Sequence, residues 1–307
     1  MIEFLSGGMQ TTIQDLGRRG MMHLGIGLSG AMDSLSAITA NRLLGAPDNS
    51  PVLECTLVGP NIKFHTANTI AICGSDMRFK IDDKPVPNNQ TVHVDRNTVL
   101  TYLGNASGAR AYIAFAKPLL IEPVMNSAAT HLSAAIGGHH GRAVKIGDRI
   151  RCDERELATT DHRQIDSLAN YSGRYVIRYT PAPESKHFSE SQYQTFHNNR
   201  YNVSTEFSRM GIRLVGEKVK FSLYPTMPSR GLLPGSIQLP PDGTPIIAGK
   251  DCQTTGGYLR IGQVIACDLP IIGQLKAQDE VQFLAISIAN AIALNVKQQQ
   301  LLANYCQ

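Results

Sequence analysis

The 307-residue chain contains no tryptophan, and its longest apolar run, FLAISIANAIAL from Phe283, is interrupted by Ser287 and Asn290. That run falls short of the roughly 20 apolar residues a membrane-spanning helix needs. MIEFLSGG at the N-terminus has neither the basic stretch nor the apolar core of a signal peptide, so a soluble, cytoplasmic protein is expected. The charges nearly cancel, with 29 Lys and Arg against 25 Asp and Glu. No block of Lys and Arg interleaves with aromatics, which argues against a nucleic-acid or membrane surface. The six cysteines (Cys55, Cys73, Cys152, Cys252, Cys267 and Cys306) are scattered, with no C-x-x-C pair, and there is no H-E-x-x-H. Neither a metal site nor a disulfide framework is therefore expected, and reduced thiols fit best.

What is present is a succession of short β-branched and aromatic runs separated by Gly, Pro and Asn turns. Thr69–Cys73, Met77–Ile81, Thr98–Leu103, Tyr112–Ala116, Tyr175–Tyr179, Val219–Leu223, Ile246–Ala248, Gln263–Cys267 and Val281–Ile286 read as strands. Strands spaced so closely, with few helices between them, favour barrels or sandwiches over a doubly wound sheet. Three helices are predicted. One follows Asp33 and stops at Gly45. A second starts at Ser189, where Gln192 completes a capping box and Phe188 can staple onto Tyr193. The third carries Ile288, Ile292 and Val296 on one stripe before a polar QQQ tail. The chain is long enough to bury roughly 75% of its unfolded surface in one large or two medium cores. Strand patterning lapses in ERELATTDHRQIDSLANYS, between Glu154 and Ser172, and resumes in RYVIRYT, which places a domain boundary there.

Two glycine motifs mislead. Gly25, Gly27 and Gly30 satisfy G-x-G-x-x-G, but the preceding LGRRGMMHL is too charged and glycine-punctuated for the buried strand a dinucleotide site requires. GTPIIAGKD has five residues between its glycines, and Asp251 stands where a phosphate loop needs Ser or Thr.

Other residues suit a small polar, anionic ligand. Gln14 is both donor and acceptor, Asp15 and Asp33 are carboxylates, Arg18 could grip a carboxylate or phosphate, and His23 could move protons near neutral pH. Asp33 is equally placed as a helix N-cap, and Asp15 and Arg18 could pair with each other across a turn. In the second half, Arg209 and Arg213 lie four apart, and Gln238 and Asp242 flank a Pro-Pro-Asp-Gly turn. QTTGGY sets Gln253, Thr254, Thr255, Gly256, Gly257 and Tyr258 in succession, a density of polar groups and free backbone N–H suited to an oxyanion or phosphate. Cys252 has no adjacent base and reads as a structural thiol.

Taken whole, TTIQDLGRRGMMHLGIGLSGAMD resembles the opening of the family of 5-oxoprolinase C-type subunits, also called the Kip-antagonist (KipA) or allophanate-hydrolase-subunit-2-like family. NRLLGAPDNSPVLECTLVGP, GGHHGRAVKIGDRI, SRMGIRLVG, LLPGSIQLPPDGTPII and QTTGGYLRIGQVIACDLPIIGQL extend the likeness in order across almost the whole chain. The resemblance implies a mainly β protein of two cyclophilin-like β-barrel domains with a few short helices, over residues 1–165 and 173–297. It implies one member of an ATP-dependent 5-oxoprolinase complex that opens 5-oxo-L-proline to L-glutamate. The partners would be the B-type subunit, of the Kip-inhibitor kind, together with the A-type subunit, of the lactam-utilisation kind. ATP with magnesium would be the cofactor, at a site that could be shared with the B-type subunit. The alternatives it leaves are a carboxyltransferase subunit using carboxybiotin, with biotin arriving on another protein, and a regulatory antagonist of a Kip-inhibitor-type protein. On this likeness Asp33, His23 and Arg209 are the expected catalytic residues. Gln14, Arg18, Ser29, Arg213, Gln238, Gln253, Thr254, Thr255, Gly256, Gly257 and Tyr258 are the expected substrate or phosphate contacts.

Overall fold

The computed structural model describes residues 1–105, 107–155, 157, 163–166 and 171–304. Two compact units divide it. The first comprises Met1–Arg19 and Ser29–Tyr171, the second Gly20–Leu28 and Ser172–Asn304. The protein is mainly β, and no helix among the described residues is long and apolar enough to cross a membrane.

The first unit consists of a six-stranded and a five-stranded sheet, antiparallel throughout. The strand Arg110–Phe115 is central to the five-stranded sheet, and all six of its residues are buried. Alternation explains how. Ala111, Ile113 and Phe115 point into the core shared by the two sheets, while Tyr112 and Ala114 meet the helix Ser34–Leu43 through Ala37, Ala40 and Leu43. That helix begins where the sequence predicts. Asp33 is its N-cap, accepting from Ser36 N at 3.0 Å and Ser36 Oγ at 2.6 Å, and Gly45 lies just past its end at a φ of 66°.

The second unit closes into a seven-stranded barrel. RYVIRYT turns Tyr175, Ile177 and Tyr179 inward, and Arg174–Pro181 closes the barrel by pairing in parallel with Glu280–Ala285. At Ser189 both bonds of the capping box form, and the Phe188 and Tyr193 rings lie 5.9 Å apart.

Several expectations need correction. Val219–Leu223 is not a strand. Val219 is buried and donates one backbone bond to Gly243, but no neighbouring strand among the described residues offers a ladder, so its apolar side chains serve an irregular loop. The expected strand Gln263–Cys267 is the end of Leu259–Val264 followed by a 3₁₀ turn at Ala266–Asp268. There the buried Asp268 carboxylate accepts from Arg178 N at 2.8 Å and from the Arg178 guanidinium, pinning the turn against the neighbouring strand. The C-terminal helix, Ile288–Asn304, runs through QQQ, where Gln298 donates its amide to Cys267 O at 3.0 Å, and its Ile288, Ile292 and Val296 stripe is exposed. Gly25 ends a single 3₁₀ turn, Met22–Leu24, with no strand before it, so the dinucleotide geometry is absent.

Candidate functional site

The N-terminal signature forms a dense polar knot in the first unit. Asp15 follows the strand Gln10–Gln14 and is almost wholly buried. Its carboxylate accepts from Gly17 N at 2.7 Å, Ala128 N at 2.7 Å and Ser127 Oγ at 2.8 Å. Arg18, with no exposed surface, donates from Nε to Val124 O at 2.9 Å and from Nη2 to Ala129 O at 2.8 Å. Gln14 donates to Thr12 Oγ1 and to Thr130 O. Gly30, at a φ of 85°, packs so tightly on the 15–18 turn that a Cβ would stand 2.6 Å from Gly17 N. Asp15 and Arg18, a candidate pair, instead each clamp the 124–130 segment.

The other first-motif residues disperse. Asp33 is committed to its helix cap. Its backbone N–H donates to Tyr112 Oη at 2.8 Å, which donates to Glu54 Oε2 at 2.8 Å. Burial and the Glu54 charge push the Tyr112 hydroxyl well above the usual range, so it remains a neutral donor. Ser29 is fully buried at a φ of 53°, and among the described residues its Oγ has no hydrogen-bond partner. His23 lies exposed on the 3₁₀ turn of the Gly20–Leu28 segment, which groups with the second unit.

In the second unit, Arg213, Gln238, Gln253 and Tyr258 converge on one cleft of about 250 Å³. Its walls include Leu232, Ile246, Ala248 and Cys252, with Glu206 and Ser208 also lining it. Ladders fix the geometry. Gly211–Val215 pairs with Ile246–Ala248, which pairs with Ser236–Leu239, so Arg213 and Gln238 both stand opposite Ile246. A two-stranded ribbon, Arg230–Gly231 with Thr255–Gly256, carries the QTTGGY loop, and Leu232 N donates to Thr254 O at 2.8 Å. Buried Glu184 anchors the ribbon side through Arg260 at 2.6 Å and Arg230 at 3.3 Å.

Arg209, an expected catalytic residue, does not face this cleft. It is 2% exposed and forms a two-pronged pair with equally buried Asp251, at 2.9 Å on each prong. Its role is structural, because a guanidinium locked to a carboxylate in the interior cannot also present its fork to a ligand. QTTGGY also differs from the expected anion nest, since neither Gly256 nor Gly257 has a positive φ. Gly257 has room for a side chain, with nothing closer than 3.7 Å to a Cβ. Gly256 does not. A Cβ there would lie 2.9 Å from Gln238 Nε2, 3.5 Å from Leu232 Cδ2 and 3.8 Å from Gln253 Nε2. A side chain at 256 would therefore displace the Gln238 amide, the far end of a flexible side chain, and only touch Gln253.

Gln238 is 4% exposed, and among the described residues its Nε2 has no hydrogen-bond partner. Arg213 makes a loose pair with Glu206 at 3.6 Å, both side chains more than half exposed. Burial, reinforced by the Asp251 charge, pushes the Cys252 thiol up to about 12, so this wall residue is protonated and apolar in character. Asp242 is turn chemistry, accepting from Thr244 N at 3.0 Å and Thr244 Oγ1 at 2.7 Å.

The GTPIIAGKD stretch does not fit a phosphate. Gly249 N donates to Met210 O and Asp251 N to Arg209 O, so these backbone donors are already occupied. Among the described residues no group of three His, Cys, Asp or Glu side chains is arranged to hold a metal ion. Glu206, Ser208, Met210 and Cys252 belong to the cleft without having been singled out as contacts; the available signal was that Ser208 and Met210 lie in SRMG, Glu206 just before it and Cys252 just before QTTGGY.

Residues 24–285 match the family of the carboxyltransferase domain, subdomain A and B. The chain is 33% identical to the C subunit of 5-oxoprolinase from Escherichia coli over 98% of its own length and 96% of that protein. Against the C subunit of 5-oxoprolinase from Haemophilus influenzae the identity is 32%, over 97% of this chain and 96% of the other. The crystal structure of the K. lactis urea amidolyase superposes with a TM-score of 0.91 at 29% identity, over 99% of this chain but only 20% of that one.

Proposed function

The chain belongs to the family of the carboxyltransferase domain, subdomain A and B, and from that premise we propose that it is the C-type subunit of a 5-oxoprolinase complex that opens 5-oxo-L-proline to L-glutamate with ATP. One observation carries this reading. The chain is co-linear with nearly the whole of a 5-oxoprolinase C subunit, whereas it matches only a fifth of urea amidolyase. Its partners in this reading are a Kip-inhibitor-like protein as the B-type subunit, plus a lactam-utilisation-like protein as the A-type subunit.

An unactivated lactam is a poor electrophile, and ATP would supply the activation of its carbonyl oxygen. This chain's residues bind and orient the ring. Gln238 and Gln253 offer amides, Arg213 offers a cation for the substrate carboxylate, and Leu232, Ile246 and Ala248 exclude water from the sides. The occupied backbone donors of the GKD stretch favour nucleotide binding on another subunit.

The test is ATP- and 5-oxoproline-dependent glutamate formation by the purified chain, alone and with candidate A-type and B-type partners. Turnover is expected only from the assembly. Robust turnover by the single chain, or none by any assembly, overturns the reading. A second reading, carboxyl transfer from carboxybiotin, is favoured by the urea amidolyase superposition; biotin-dependent transfer by the assembly would establish it.

A further inference from the structure

Resting on that reading, we infer that Gln238 recognises the cis-amide edge of a small ring, with the N–H and C=O of a lactam or cyclic urea side by side against its carboxamide. A buried polar group without a partner costs roughly 1–3 kcal/mol, and native interiors leave few of them. Gln238 is such a group. It is 96% buried, as the complement of its 4% exposure, it lines the cleft, and its Nε2 is orphaned. Position 256 is glycine, and any Cβ there would crowd Nε2 at 2.9 Å.

The ligand class follows from what a carboxamide offers. It presents one donor and one acceptor in a plane, whichever way the group is turned. The complement is an N–H and a C=O on the same edge. Secondary amides of open chains are trans and hold these groups on opposite sides, whereas a five-membered lactam or cyclic urea is forced to be cis. The cleft, at about 250 Å³, is smaller than the roughly 300–1,000 Å³ of drug-sized sites, and so suits a single ring. Its sides are Leu232, Ile246, Ala248 and protonated Cys252, apolar surfaces for ring carbons. At the rim, the Arg213–Glu206 pair is long and exposed, so its guanidinium can exchange to a ligand carboxylate at small cost.

Calorimetric or saturation-transfer titration of the whole chain tests this, using 5-oxo-L-proline, its N-methyl derivative and biotin. Wild type is expected to bind 5-oxoproline, with at least tenfold weaker binding of the N-methyl compound, which lacks the donor. Gln238→Leu is expected to lose at least tenfold in affinity at an unchanged melting temperature. Gly256→Ala, which displaces the amide, should lose affinity in the same direction. Gln238-dependent binding of biotin in place of 5-oxoproline would keep the cis-amide assignment and move the ligand to the ureido ring. No binding of either ring by wild type, equal binding of the N-methyl compound, or full affinity in folded Gln238→Leu overturns the inference. Its failure is separable from failure of the 5-oxoprolinase reading. An assembly that turns over normally with Gln238→Leu removes only the amide role, and Gln238-dependent binding without ATP-dependent turnover removes only the 5-oxoprolinase reading.

Discussion

The TTIQDLGR signature of the first unit and the QTTGGY cleft of the second both bring glycine, glutamine and an arginine together, yet they hold their charged groups differently. Asp15 satisfies donors from Gly17, Ser127 and Ala128, and Arg18 donates to the carbonyls of Val124 and Ala129. In the cleft, Gln238 Nε2 has no hydrogen-bond partner among the described residues, and Arg213 makes a loose, exposed pair with Glu206. A polar residue whose bonds are filled by its own chain holds the fold. Among the described residues Gln14 Oε1 and Ser29 Oγ are also unfilled, but they do not line the cleft, whereas Gln238 does, and an unfilled group at a cavity is a candidate for a ligand.

The sharpest way to break this contrast is Arg209→Ala. Removing one partner leaves the buried Asp251 charge uncompensated, and the expected loss is about 3–5 kcal/mol of unfolding free energy, read by denaturant titration. A melting temperature within a few degrees of wild type would return Arg209 to the set of ligand contacts. Next comes Asp15→Ala, which strands Ser127 Oγ and the N–H groups of Gly17 and Ala128. It should cost about 3 kcal/mol, since each abandoned buried donor carries roughly 1–3. Gln238→Leu should behave in the opposite way. With no bond to lose and a buried polar group removed, its stability is expected to stay within about 0.5 kcal/mol of wild type or to rise. A large loss there would mean that the amide is structural after all, and the contrast would fail.

The smallest effect is a pH dependence in the barrel. Desolvation lowers the pKa of His197, against the opposing charge of Glu190, while its Nε2 pairs with Tyr179 Oη at 2.5 Å. A histidine whose folded pKa lies below its unfolded value gives full stability above the unfolded pKa. As pH falls toward the folded value, the unfolded chain takes up the proton more readily and stability is lost. The melting temperature should therefore decline below about pH 6.5, and His197→Gln should flatten part of that decline. An identical pH profile in the variant would show that His197 carries none of it.

Much of the local structure was legible. The capping box at Ser189, the Asp33 cap, the Gly45 stop and the inward alternation of RYVIRYT depend on neighbours within a few residues, and they form as read. Errors arose where long-range partners decided the outcome. Val219–Leu223 has strand composition but no strand to pair with, and Gln263–Cys267 is cut short by Arg178 holding Asp268. Of the expected contacts, Arg213, Gln238, Gln253 and Tyr258 line the candidate cleft, and a Cβ at Gly256, not Gly257, would crowd the Gln238 amide.

The sequence by itself determined the β-rich class, the helix caps and a family signature spanning the chain, because these depend on residue type and short spacing. It could not rank one polar residue against another. Whether Asp15 pairs with Arg18 or clamps a distant segment depends on Ser127, 112 residues away, and whether Arg209 meets a ligand depends on Asp251, 42 residues away. Only the tertiary structure decided which groups were satisfied and left Gln238 Nε2 without a partner among the described residues, because hydrogen-bond satisfaction depends on three-dimensional proximity, and strand pairing brings distant residues together.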